Sequence, residues 1–285
     1  MRITFFGVRG SCPCSSDQYR RYGGNTSCVL VEVEGEHPLI LDLGTGLRAL
    51  GGYLHPPLQA AGTPLQASVL LTHLHYDHVL GLPFFSPLRD PGAVLDVYGP
   101  SQQGGSLHDV LSGLVEPPFF PIAMADFQGE LRCHDIDGSA DFTVGGIQVK
   151  ARPVNHIGHT LGFRIEADGR SVAYISDHQA PLDQRTVDKH VLELCEDADL
   201  VMHDSQYTEK EFAIMSDWGH STEAYAVRVA VESGAHRLCM FHHDPAHSDD
   251  QVDRMLGHAR RIASKHNLNE VSAAAEGESV DLGAV

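Results

Sequence analysis

Long apolar runs are missing from this chain: nowhere in its 285 residues is there a stretch near the roughly eighteen consecutive apolar residues that a membrane-crossing helix needs. Positive charge is also short. Lysine and arginine total 20 against 38 aspartate and glutamate residues, a formal net charge of −18. No basic stripe offsets that balance, so a nucleic-acid backbone is a disfavoured partner and a small molecule a better one. Bound cations reverse the local field, which keeps an anionic substrate compatible with the acidity.

Repeats, low-complexity segments and linker-like stretches are absent too. A chain of this length can build one large core, so a single domain over residues 1–285 is expected. The opening residues, Met1 to Gly7, lack the charged, apolar and small-residue succession of a secretory signal, which points to a soluble cytoplasmic protein. Cysteines number six and have no zinc-ribbon spacing. Cys12 and Cys14 flank Pro13 as a soft-metal or redox pair would, but ordinary reduced thiols are the simpler expectation and no role is given to them.

What the sequence does have is histidine, 19 in all, and four potential metal ligands within six residues: His73, His75, Asp77 and His78. They follow the apolar segment Ala67 to Leu71, which reads as a buried strand. The ligands therefore leave a sheet at its edge, where α/β proteins place their sites. His73 and His75 flank one residue and can close on one cation, while Asp77 and His78 lie on the following turn and point to a neighbouring position. Imidazole with carboxylate suits Zn²⁺, with Mn²⁺ and Fe²⁺ as alternatives, and the spacing suggests two divalent metal ions.

Short β-branched or apolar runs divided by turn residues predict strands at Ile3–Val8, Ser27–Val33, Pro38–Asp42, Ala67–Leu71 and Val94–Tyr98, with a helix over Gly46–Leu54. A second strand set falls at Asp141–Pro153, Thr160–Ala167 and Ser171–Ser176, with Asp168-Gly169 as a hairpin turn. Helices are predicted over Pro181–Glu196, Thr222–Ser233 and Ser248–His266, separated by strands Leu200–His203 and Arg237–His242. Two strand-rich halves, each followed by helices, would pack as a sheet-on-sheet sandwich with helices outside. Further candidate ligands recur at strand ends: His156, Asp177 and His242.

These residues resemble the metallo-β-lactamase superfamily of hydrolases, whose ligand order is matched over nearly the whole chain by the His73 to His78 signature, the lone His156, Asp177 after Tyr174-Ile175-Ser176, and the late His242. The resemblance implies an αββα sandwich of two mixed sheets packed face to face. It also implies that His73, His75 and His156 hold one metal, Asp77, His78 and His242 the other, with Asp177 bridging. The cysteine ligand of many true β-lactamases has no counterpart, so antibiotic hydrolysis is not expected.

Within the superfamily the chain looks most like the phosphodiesterase branch, which includes ribonuclease Z and the cyclic-phosphate diesterase of phosphonate catabolism. Gly219-His220-Ser221-Thr222 and Phe241-His242-His243-Asp244-Pro245 carry that likeness. It implies that His220 contacts the phosphoryl group or leaving oxygen, and that Asp77 both binds metal and orients a hydroxide shared by the two ions. His220 and Asp77 are thus the expected catalytic residues.

Substrate contacts are less legible. His243, and Arg9 in the Gly7–Ser11 turn, are the candidate substrate-binding residues, and the Gly23–Ser27 turn is a second source of donors. Glu116 to Pro121 is a stiff aromatic segment that either lies over the mouth of the site and stacks on a base or packs on the sandwich. The expected activity is cleavage of a small phosphodiester such as a cyclic nucleotide. The alternative is a lactone or thioester hydrolase, for which Tyr207 would serve as the carbonyl-side tyrosine, and a homodimer is the assembly the family suggests.

Overall fold

Alternation of side chains along the strands creates two faces, and here both faces are covered. In the computed structural model, which describes residues 1–102, 105–268 and 270–283, the first half of the chain forms β1 (Arg2–Gly7), β2 (Cys28–Glu32), β3 (Leu39–Leu41), α1 (Leu47–Ala61), β4 (Gln66–Leu70), α2 (Tyr76–Val79), β5 (Val94–Pro100), α3 (Leu107–Leu114) and β6 (Glu130–Ile136). The second half forms β7 (Ala140–Val144), β8 (Ile147–Pro153), β9 (Leu161–Ala167), β10 (Arg170–Ile175), α4 (Lys189–Cys195), β11 (Leu200–Asp204), α5 (Glu209–Met215), α6 (Glu223–Glu232), β12 (Arg237–Phe241), α7 (Asp249–Ala263), β13 (Glu270–Ala273) and β14 (Ser279–Asp281).

Among the described residues the strands make two seven-stranded mixed sheets, ordered β14-β1-β2-β3-β4-β5-β6 and β13-β12-β11-β10-β9-β8-β7. Val29 and Val31 of β2 pack between the sheets against Phe163 and Tyr174, while Cys28 and Leu30 face the helix side with Leu47 and Leu50 of α1. The second sheet repeats the pattern. Val172 and Tyr174 point inward, and Ala173 and Ile175 point to α4, α6 and α7. Period-two burial on both faces is what an αββα sandwich requires, and the architecture matches the expectation from the sequence. No helix among the described residues is long and apolar enough to cross a membrane.

Several predicted boundaries change. The first helix continues through Pro56 and Pro57 to Ala61, because those prolines lie on a partly exposed second half that the apolar pattern no longer marked. The segment predicted as one strand over Asp141–Pro153 is a hairpin, β7 paired with β8, turned by Gly145 at φ +57°. Of the helix predicted over Pro181–Glu196 only α4 forms. It starts where the Asp188 side chain accepts from the amides of His190 and Val191, and Gln184 before it has φ +49°, a left-handed conformation that a helix does not tolerate. Strands β6, β13 and β14 escaped the sequence reading. All three are sheet edges with polar or charged faces, so their apolar alternation is faint.

Candidate metal centre

The parallel strands of both sheets end on one side of the sandwich, and the loops that follow them bring the candidate ligands together. His73 follows β4, His75 precedes the single turn of α2 that carries Asp77 and His78, His156 follows β8, Asp177 follows β10, and His242 follows β12. They form two metal-sized groups, His73 with His75 and His156, and Asp77 with His78, Asp177 and His242. Asp177 faces both. Its Oδ1 lies 3.8 Å from His73 Nε2 and 3.6 Å from His156 Nε2, and its Oδ2 lies 3.1 Å from His78 Nε2 and 3.4 Å from His242 Nε2.

Metal ions fit this donor set on an observation independent of residue type. The Nε2 atoms of His73 and His78 and Oδ2 of Asp177 are buried without a hydrogen-bond partner, a state that costs free energy unless something else occupies their lone pairs. Meanwhile the opposite nitrogen of most rings is held. His78 Nδ1 meets Asp42 Oδ2 at 2.8 Å, His156 Nδ1 donates to the Gly219 carbonyl at 2.6 Å, and His242 Nδ1 donates to Gln206 Oε1 at 2.8 Å. His73 Nδ1 pairs with the Thr72 hydroxyl at 3.1 Å. Such outer contacts fix the tautomer and aim Nε2 at the ion.

Electrostatics divides the two groups. Burial, with His78 nearby, holds His73 far below the usual imidazole range, and burial also lowers His75 and His156. The lowered pKa favours the neutral form of these three rings, the form that can ligate a metal. In the second group burial again opposes charge, but Asp77, Asp177 and Asp42 outweigh it at His78, and Asp177 with Asp77 raises His242 to about 9. Burial works against the Asp77 carboxylate as well, yet His78 and His242 hold its pKa far below normal. In this group carboxylates and rings offset one another's charge, a balance that bound cations would take over.

Two glycines make the geometry possible. Gly219 has φ +94°, and a Cβ there would come within 2.5 Å of His156 Nδ1. At Gly10 a Cβ would lie 2.3 Å from the His242 ring. The Gly10 turn thereby brings the Ser11 amide to Asp77 Oδ2 at 2.7 Å. The predicted phosphate-binding turn is in this respect a brace for a ligand.

Arg9 and His243 require correction. Arg9 is fully buried, with its guanidinium donating to the carbonyls of Gly23, Asp244 and His247 and paired with Asp249 at 3.6 Å. A side chain so enclosed ties loops together and does not reach substrate. His243 lies next to the ligand His242 in sequence, yet its ring is buried and its Nε2 donates to the Ala274 carbonyl at 2.9 Å. Burial, with Arg9 beside it, pushes that ring down to about 3. The Gly23–Ser27 turn is likewise structural, since the Asn25 side chain and amide go to Glu276 and the Thr26 amide to Thr45.

His220 stands beside Asp177 at the edge of the candidate centre. Its Nδ1 lies 2.9 Å from Asp204 Oδ2 and 3.9 Å from Asp177 Oδ1, and it lines a cleft of about 430 Å³ with Ser11, His75, Tyr76, Asp77 and Asp177. It also stands close enough to Asp204 and His242 to form a metal-sized group with them. Tyr207 is buried behind His220, edge-on at 5.5 Å between ring centroids, and does not line the cleft.

Asp42, Thr72, Asp204 and Gln206 were missed by the sequence reading. Asp42 and Asp204 carry the same signal as Asp177, a carboxylate ending an apolar strand, and that signal could have found them. The six cysteines are free thiols.

An αββα sandwich that gathers two His/Asp groups at one end of its strands is consistent with a dimetal site in a metal-dependent hydrolase. The chain belongs to the β-lactamase superfamily: the family model described as "Beta-lactamase superfamily domain" matches residues 37–243. Similar sequences include a ribonuclease Z of Synechococcus sp. (strain WH7803), 25% identical over 87% of this chain and 86% of that protein. A ribonuclease Z of Natronomonas pharaonis is 27% identical over 90% of this chain and 93% of that protein. Among solved structures, the metallo-β-lactamase fold protein YhfI from Bacillus subtilis superposes with a TM-score of 0.71 at 20% identity, covering 98% of both chains, and shows the shared fold.

Proposed function

We propose that this chain is a metal-dependent phosphodiesterase acting on a small phosphodiester such as a cyclic nucleotide, with His73, His75 and His156 on one ion, Asp77, His78 and His242 on the other, and Asp177 between them. Such ions, when bound, activate water and neutralise charge on phosphoryl oxygens. Asp77, braced by the Ser11 amide, fixes the geometry on one side of the cleft. His220 donates Nδ1–H to Asp204, and a second proton on Nε2 would make the ring an imidazolium that contacts the phosphoryl group and gives that Nε2 proton to the departing oxygen. The observation that carries the reading is this oriented His220 beside the bridging carboxylate.

The burial of Tyr207 weighs against a lactone or thioester hydrolase, because that tyrosine has no path to a carbonyl in the cleft. The ribonuclease Z names of the sequence relatives support a second substrate, an RNA phosphodiester, so acidity alone does not decide against nucleic acid. The test is Zn²⁺- or Mn²⁺-loaded protein assayed in parallel on bis-p-nitrophenyl phosphate, cyclic nucleotides, a short RNA and a lactone panel. Phosphodiester cleavage is expected. Lactone turnover without it would overturn the reading.

A further inference from the structure

Beside the metal cleft lies a second cavity, about 580 Å³, which shares Ser11, Tyr76 and Leu114 with it. Its wall is apolar and rich in rings. Tyr76, Phe84, Phe119 and Phe120 contribute, with Leu80 and Leu114 between them, and no charged side chain among the described residues lines it. Phe84 and Phe120 meet edge to face, 5.8 Å between centroids at 88°. A soluble chain normally covers such rings, yet Tyr76 is 64% exposed, Phe84 52% and Phe119 78%. Exposed apolar side chains gathered at one place mark a binding surface.

Position gives this surface its meaning. Tyr76 stands between the candidate ligands His75 and Asp77 in sequence and lines both cavities, so the apolar cavity adjoins the cleft where those ligands lie. Resting on the phosphodiesterase reading, we infer that the apolar cavity receives a flat aromatic group carried by the phosphate ester, attached directly or through a sugar and held by its faces. Aromatic stacking is tolerant of ring identity. With Ser11, Cys12 and Tyr76 the only polar side chains in the wall, a purine and a pyrimidine have few edge contacts to tell them apart.

Calorimetric titration of the Zn²⁺-loaded protein with phosphate monoesters tests this directly, because every probe presents the same phosphate and only the ester group varies. We expect 1-naphthyl phosphate to bind at least about tenfold tighter than methyl phosphate and tighter than octyl phosphate, with AMP and CMP within about threefold of each other. Phe84→Ala and Phe119→Ala should each narrow the naphthyl-to-methyl gap. Equal affinity for naphthyl and methyl phosphate, octyl binding as tight as naphthyl, or strong preference for one nucleotide would each overturn the inference. Binding is read without turnover, so the two ideas fail separately. A naphthyl preference in a protein that cleaves no phosphodiester supports the aromatic cavity and removes only the proposed reaction.

Discussion

Asp204 Oδ2 lies 2.9 Å from His220 Nδ1, and this contact decides which nitrogen of His220 is left for the cleft. Asp204 is itself pinned, accepting from the His178 amide at 3.1 Å and the Gln206 amide at 3.0 Å. His220→Ala should keep its metals and lose about 10²–10⁴-fold in kcat, the range for a positioned general acid. Metal analysis beside kinetics checks this. A variant that loses metal instead would make His220 a ligand.

Asp204→Asn should act through His220. The amide can still meet the ring but no longer favours the Nδ1–H tautomer, so kcat should fall by about tenfold or more while metal content holds. The double variant supplies the second readout: once His220 is alanine, Asp204→Asn should cost little further kcat. A full additional loss in the double variant would leave Asp204 a purely structural residue.

Asp42 supports the other half of the centre. It meets His78 Nδ1 at 2.8 Å and accepts from the hydroxyls of Tyr174 at 2.8 Å and Thr72 at 2.9 Å, all buried between the sheets. Asp42→Asn should weaken metal binding by about 10–100-fold, as loss of such outer contacts does. Competition with a chromogenic chelator measures it. Wild-type affinity in a folded variant would contradict the role.

A pair of rings outside the centre should give the protein acid sensitivity. His203 Nε2 and His178 Nδ1 lie 3.2 Å apart in the core, and His203 Nδ1 donates to the Asp204 carbonyl at 2.7 Å. Burial holds His203 below the ordinary histidine range. The unfolded chain therefore takes up the proton first, and stability from the neutral ring is full above the unfolded pKa and lost as pH falls towards the folded one. Denaturant unfolding of wild type and His203→Gln should show the variant's deficit at pH 8 and a smaller deficit at pH 5.5. A deficit that grows on acidification would reverse the sign.

The residues that cluster as candidate ligands stood out in the sequence because each sits at the end of an apolar strand or in a tight His-rich run, signals that need no fold to be seen. The pairing of strands β6, β13 and β14 was not, since edge strands expose polar faces. Arg9 shows the harder limit. As the sole cation in a glycine turn it read as a phosphate ligand, whereas its three carbonyl partners come from positions 23, 244 and 247, contacts that only the folded chain assembles. Asp204 shows a different limit: its strand-end position was visible, but nothing local links it to His220, sixteen residues later.

The central claim, that Asp177 joins two metal sites into one hydrolytic centre, is tested most directly by adding metal stepwise to chelator-stripped protein while following hydrolysis of bis-p-nitrophenyl phosphate. Activity should rise with the second equivalent and saturate at about two per chain. Saturation at one equivalent, or two bound equivalents with no phosphodiester cleavage, would contradict it.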